Sequence, residues 1–126
     1  MNGKGTIYLV DDDASARKGL TRLLLAAGYE VHAYASSVEL LKSPVGVKNA
    51  ALVLDARMPG LSGVDLQAEL VKKGIKLPVI FVTADSDGQT RKKARALRAA
   101  GFFSKPVDGP ALLDAIAWAL ETQGCG

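Results

Sequence analysis

The feature that most constrains this chain is a regular switch between two hydrophobic periods. Short runs that are apolar throughout recur along it: Ile7-Tyr8-Leu9-Val10, Ala51-Leu52-Val53-Leu54 and Leu77-Pro78-Val79-Ile80-Phe81-Val82. Tyr29 to Tyr34 alternates and is rich in β-formers, and Phe102-Phe103-Ser104 is short and extended. Between these lie segments of helical spacing: Ala16, Leu20, Leu23, Leu24 and Ala27; Val64, Leu66 and Leu70; Thr90, Ala94, Leu97 and Gly101; and Leu112, Leu113, Ile116, Ala117 and Leu120. A fifth, short helix opens on the capping box Ser36-Ser37-Val38-Glu39 and is expected to end at Pro44 and Gly46. Asp13, Ser62 and Asp108 are further candidate caps, and Gly28 and Gly74 are candidate stops. Five strands and five helices thus alternate strictly. Strands that are apolar throughout suit a parallel sheet covered on both faces. The expected class is α/β, a doubly wound five-stranded parallel sheet.

The length of 126 residues fits a single domain over 1–126, with its core at 6–121. The chain is 48% apolar and 23% charged, which argues against intrinsic disorder and collagen-like repeats. No apolar run approaches the roughly 20 residues of a membrane helix. The one cysteine, Cys125, has no partner within the chain, which excludes an internal disulfide and favours a cytoplasmic address. The net charge of +3 is local in origin: Arg91-Lys92-Lys93-Ala94-Arg95-Ala96-Leu97-Arg98 holds five bases and no acid. That describes one helix surface and does not make the whole chain nucleic-acid-like.

In an open α/β sheet the chemistry lies beyond the carboxyl ends of the strands. Four strand ends here carry a reactive or ligating side chain: Asp11-Asp12-Asp13, Asp55, Thr83 and Lys105. Each alone has an ordinary explanation, as a helix cap, a strand-end hydroxyl or a solvated turn. Four at matched positions point to one site. Clustered carboxylates repel unless a cation joins them, and an all-oxygen set suits Mg²⁺. Lys105 adds a cation for a carboxylate or phosphoryl oxygen, and Thr83 a hydroxyl donor. Such a set would stabilise a phosphoryl group in transfer, with Asp55 as acceptor, since an aspartate can form an acyl phosphate.

These residues resemble those of the response regulator receiver family, the CheY-like domains. The resemblance rests on Val10-Asp11-Asp12-Asp13, on Leu54-Asp55-Ala56-Arg57-Met58-Pro59-Gly60-Leu61-Ser62-Gly63, on Val82-Thr83-Ala84 and on Ser104-Lys105-Pro106. It spans residues 6–121. It implies a flavodoxin-like three-layer sandwich with strand order 2-1-3-4-5. It implies that Asp55 takes a phosphoryl group from a histidine kinase or a histidine phosphotransfer protein. Asp12, Asp55 and the carbonyl of Arg57 would ligate Mg²⁺, with Mn²⁺ as an alternative, and Asp11 would act through a metal-bound water. Thr83, the amide of Ala84 and Lys105 would bind phosphoryl oxygens. Phe102 falls at the switch aromatic position: Thr83 moving towards the phosphoryl group would make room for it to turn inward. The fourth helix, fifth strand and fifth helix would form the output face, for a phosphorylation-dependent homodimer or a downstream protein. The domain itself would bind neither nucleic acid nor membrane, and would be a signalling switch rather than an enzyme.

Two positions that flank the phosphoryl group in this family are Arg57 and Asp85 here. Their opposite charges are expected to pair across the site entrance and slow attack by water. The segment Arg98-Ala99-Ala100-Gly101 runs straight into Phe102, so the fourth helix is expected to end differently from many relatives. Arg91, Arg95 and Arg98 are expected to share one stripe of that helix. Rival readings fail on particular residues. A haloacid-dehalogenase-type phosphatase needs an aspartate where Arg57 stands. A flavodoxin would set its flavin phosphate against Asp11-Asp12-Asp13. A Rossmann dehydrogenase needs Gly-x-Gly-x-x-Gly after the first strand.

Overall fold

The computed structural model describes residues 4–46, 48–84 and 88–123. Its elements follow the order expected from the two periods: β1 Thr6–Val10, α1 Ala14–Ala26, β2 Glu30–Tyr34, α2 Ser37–Leu41, β3 Ala50–Asp55, α3 Gly63–Lys72, β4 Val79–Thr83, α4 Gly88–Ala96, β5 Gly101–Ser104 and α5 Gly109–Gln123. The five strands form one parallel sheet in the order β2-β1-β3-β4-β5. β3 and β4 are buried at every residue, as a doubly covered parallel strand requires. β2, at the sheet edge, has no fully buried residue, and only Val31 and Tyr34 are partly covered.

Alternation along each strand divides the core in two. Tyr8, Val10, Leu52, Leu54 and Phe81 pack with Leu40 of α2, Leu66 and Leu70 of α3 and Ala94 of α4. Ile7, Leu9, Val53, Ile80 and Val82 pack with Leu20 and Leu24 of α1 and Leu112 and Ile116 of α5. Two helix layers therefore enclose the sheet, which is the three-layer doubly wound sandwich. No helix among the described residues is long and apolar enough to cross a membrane.

The caps fall where the sequence put them. Asp13, Ser36 and Ser62 each accept from an amide of the first turn, at Ser15, Glu39 and Asp65. Asp108 accepts from the Ala111 amide. α2 is shorter than expected: it ends at Leu41, before Pro44 is reached. His32, to which the sequence assigns no role, stacks on Tyr8 and lies 2.7 Å from Glu30.

The end of α4 corrects two expectations. The helical stripe does not reach Gly101, which opens β5 opposite Ile80. Arg98 does not continue a stripe with Arg91 and Arg95, because the helix stops at Ala96 and Arg98 takes φ +59°. The Arg98 amide donates to Arg95 and the Ala99 amide to Ala94, the paired bonds of a Schellman motif. α1 and α3 end with the same pair of bonds around Gly28 and Gly74, both at positive φ. α4 uses an arginine where the other two use glycine, and so carries the left-handed strain of a side chain. Arg98→Gly should raise stability by roughly 0.5–1 kcal/mol, read as the midpoint of urea unfolding at unchanged slope.

Candidate functional site

Sheet register brings the strand ends together. Val10 of β1 aligns with Leu54 of β3, Asp55 with Val82 of β4, and Thr83 with Ser104 of β5. Asp11, Asp55, Thr83 and Lys105 therefore lie side by side along the carboxyl edge. The strand order reverses between β1 and β3, where ligands of open α/β sheets bind. Main-chain bonds from the Ala56 amide to Val82 and from the Lys105 amide to Thr83 extend the ladder one residue past the strands, fixing the backbone under the site.

Asp11 is fully buried. Its amide donates to Tyr34, its carbonyl accepts from Arg17 Nη1 at 2.8 Å, and Oδ1 accepts from the Asp13 amide at 2.9 Å. Oδ2 lies 2.8 Å from Lys105 Nζ. Asp55 is nearly buried; Oδ1 accepts from the Arg57 amide at 3.1 Å and Oδ2 from Lys105 Nζ at 3.3 Å. Lys105 thus bridges two carboxylates, one just after β1 and one at the end of β3. Asp12 is exposed, and one oxygen from each of Asp11, Asp12 and Asp55 lies within 4.8 Å of the others. Thr83 is buried as the last residue of β4, and Ala84 is exposed beside it.

Burial pushes the Asp55 carboxyl above the usual aspartate range, and the Asp11 charge adds to this; the Arg57 amide and Lys105 oppose it without cancelling it. Burial alone would pull the Lys105 ammonium down. The hydrogen bond to Asp11 and the attraction of both carboxylates outweigh that and leave it above the ordinary lysine value. One ammonium bridges the two buried carboxylates. All-oxygen donors of this density fit a hard divalent cation, which keeps several waters and needs few protein ligands.

The turn after β3 is held by close packing. A Cβ at Gly63, the first residue of α3, would collide with the Asp55 carbonyl oxygen and crowd Ala56 Cα. Both obstacles are backbone, so neither can swing aside. Gly63→Ala should cost about 2–3 kcal/mol and displace the Asp55 loop, checked by denaturant unfolding and by amide shifts at residues 55–57.

Phe102 and Phe103 face opposite sides of the sheet. Phe103 packs with the α1–α5 cluster, and Phe102, half-buried, with the α2–α3–α4 cluster. Phe102 aligns with Phe81, and Thr83, two residues beyond Phe81, shares its face. Thr83 and Phe102 are thus near neighbours on one side of the sheet. Of the expected Arg57–Asp85 pair, Asp85 lies outside the described residues, as does Cys125. Two contacts went unread in the sequence. Arg17, four residues after Asp13, fixes the β1–α1 turn, and Arg91 stacks over Phe102. Only its place one turn into α1 marks Arg17; nothing local marks Arg91.

The profile of the response regulator receiver domain family matches residues 7–117. The chain belongs to this family. It is 42% identical over 118 residues to Nodulation protein W of Bradyrhizobium diazoefficiens, covering 94% of this chain and 52% of that protein. Among solved structures, the response regulator StyR matches with a TM-score of 0.87 at 38% identity, over 97% of this chain and 62% of that one. The crystal structure of FixJ-N matches at 0.85 and 33% identity, over 94% and 95% of the two chains. The chain spans about half the length of the curated relatives it matches. Receiver domains of this kind serve two-component response regulators as signalling switches and use Mg²⁺. In FixJ-like regulators they accept phosphate from histidine kinases.

Proposed function

We propose that this domain, residues 1–126, is a phosphorylation switch in which Asp55 accepts a phosphoryl group from a histidine kinase or a histidine phosphotransfer protein. The observation that carries the reading is the Lys105 ammonium lying between Asp55 and Asp11 at the strand edge. An Asp55 carboxylate oxygen forms the new O–P bond as the P–N bond of the donor phosphohistidine breaks. The electron pair of that bond stays on the imidazole. Little covalent chemistry falls to the protein, so positioning and charge dominate. Lys105 can leave Asp55 Oδ2 for a phosphoryl oxygen while keeping Asp11, and so need not travel far. Thr83 and the Ala84 amide supply neutral donors from β4.

Asp11, Asp12, Asp55 and the Arg57 carbonyl would hold Mg²⁺ or Mn²⁺, which would neutralise charge on the phosphoryl oxygens. Thr83, drawn to the new anion, would leave space on the face it shares with Phe102, and Phe102 would turn inward. The α4-β5-α5 face would then change shape for a second copy or a downstream protein. Arg57 and Asp85 would set phosphoryl lifetime, as the resemblance implies for these two positions. An exposed pair is worth under about 1 kcal/mol, so Arg57→Ala should shorten the lifetime only modestly. The deciding experiment is intact mass after incubation with acetyl phosphate. One added phosphoryl group that requires Mg²⁺ and is absent in Asp55→Asn supports the reading. Labelling that persists in Asp55→Asn, or that ignores Mg²⁺, overturns it.

A further inference from the structure

Arg91 sits on α4, one residue after Thr90, which packs into the core. Its guanidinium carbon lies over the Phe102 ring, 4.9 Å from the centroid. The two residues line a groove of 140 Å³ with Ala94, Arg95, Ala99 and Gly101, at the seam between α4 and β5. Phe102 is half-buried there: one side meets the core cluster that holds Phe81 and Ala94, and the other is covered by the arginine. The face of an aromatic ring is its negative region, and a planar guanidinium both stacks on it and is attracted to it.

We infer that Arg91 is a latch on Phe102: it holds the ring in its outer position and sets how much signal is needed to turn it inward. This rests on the reading of Phe102 as the moving aromatic. The latch has a direction. In this proposal an inward turn, towards Thr83, breaks the contact with Arg91, so the contact exists in one state of the switch and not in the other. Only such a differential contact can bias an equilibrium. Breaking it also returns a free guanidinium to the α4 surface, beside Arg95. The basic helix that the sequence left without a role is therefore partly engaged at rest and fully exposed in the signalling state.

The size follows from the exposure of the pair. A cation–π contact at an exposed site shifts an equilibrium by roughly two- to fivefold. Arg91→Gln should raise the fraction of inward Phe102 in the resting domain by that factor, with Arg91→Lys between it and the wild type. By linkage, affinity for the phosphoryl mimic beryllofluoride at saturating Mg²⁺ should rise by the same factor. Loss of a cation near an anion site would by itself weaken anion binding, so a rise in affinity cannot come from bulk charge.

The experiment uses the domain labelled with fluorophenylalanine at its three phenylalanines, with the Phe102 resonance assigned from Phe102→Leu. In the wild type, beryllofluoride with Mg²⁺ should move that resonance. In resting Arg91→Gln it should already lie part of the way along the same line, with beryllofluoride binding tightened two- to fivefold. A resonance and an affinity equal to wild type, in a variant whose Phe102 still moves with beryllofluoride, would overturn the latch and leave the switch standing. Beryllofluoride that binds through Asp55 without moving Phe102 in the wild type would overturn the switch itself, and the latch with it.

Discussion

Lys105→Met is expected to destabilise the domain by about 3 kcal/mol at neutral pH in the absence of divalent cations, the low end for breaking a buried ion pair. The reason lies in what remains. Asp11 is fully buried and Asp55 nearly so, and Lys105 lies 2.8 Å and 3.3 Å from their respective Oδ2 atoms. Without the ammonium, two like charges share a dry site with only backbone amides to satisfy them. The sign with pH follows from Lys105 itself. Its folded pKa is raised above 10.5, so its contribution is complete below the ordinary lysine range and is lost as pH rises through the folded value. The gap between variant and wild type should hold from pH 7 to 9 and narrow only above that. Mg²⁺ in the millimolar range should restore part of the loss, because a cation at the three carboxylates replaces the missing charge. Urea unfolding with and without Mg²⁺ measures both effects. A variant as stable as the wild type without Mg²⁺ would show that Lys105 does not hold the carboxylates together.

Asp55→Asn should act in the opposite direction, abolishing phosphorylation while raising stability by about 1 kcal/mol, the usual exchange of function for stability at a charged site. Burial raises the folded pKa of Asp55 above its ordinary value of 3.8. Between those two values the folded state binds more protons than the unfolded state, so the contribution of Asp55 to stability falls as pH rises through that window. The cost is fully present at pH 7 and is absent once both states are protonated. The variant should therefore be more stable than the wild type at pH 7 and equal to it at the acid end of the window. The same raised pKa makes protons compete with Mg²⁺ at a higher pH than at a free aspartate, so Mg²⁺ affinity should weaken early on acidification. Thermal unfolding of the pair at several pH values tests the first point, and a Mg²⁺ titration at the same values tests the second.

The sequence showed the frame of the site because the frame is periodic. Continuous apolar runs marked β1, β3 and β4, and whatever polar residue ended each run had to stand at the sheet edge. That puts Asp11, Asp55 and Thr83 at one edge, and the short extended segment Phe102-Phe103-Ser104 adds Lys105. What periodicity could not show was register. Lys105 reaches Asp11 rather than solvent because Thr83 pairs with Ser104 and Val10 with Leu54, which depends on the packing of all five strands. Helix ends were harder to read. Leu97 continues the apolar spacing of α4, so nothing apolar marks the stop, and Arg98 takes a conformation that glycine usually advertises. Gly101 kept the helical spacing by coincidence and belongs to β5. Arg17 and Arg91 are surface bases by composition. Only the fold shows that one steadies the Asp11 backbone and the other covers Phe102.

The phosphoryl group is expected on Asp55 and on no other carboxylate of the cluster. Borohydride reduces an aspartyl phosphate to homoserine, so the residue can be located after acetyl phosphate and Mg²⁺ treatment by reduction, proteolysis and peptide mass spectrometry. Homoserine is expected at position 55 alone, with Asp11 and Asp12 unchanged. Homoserine at Asp11 or Asp12, or a phosphorylated domain with unmodified Asp55, would contradict it.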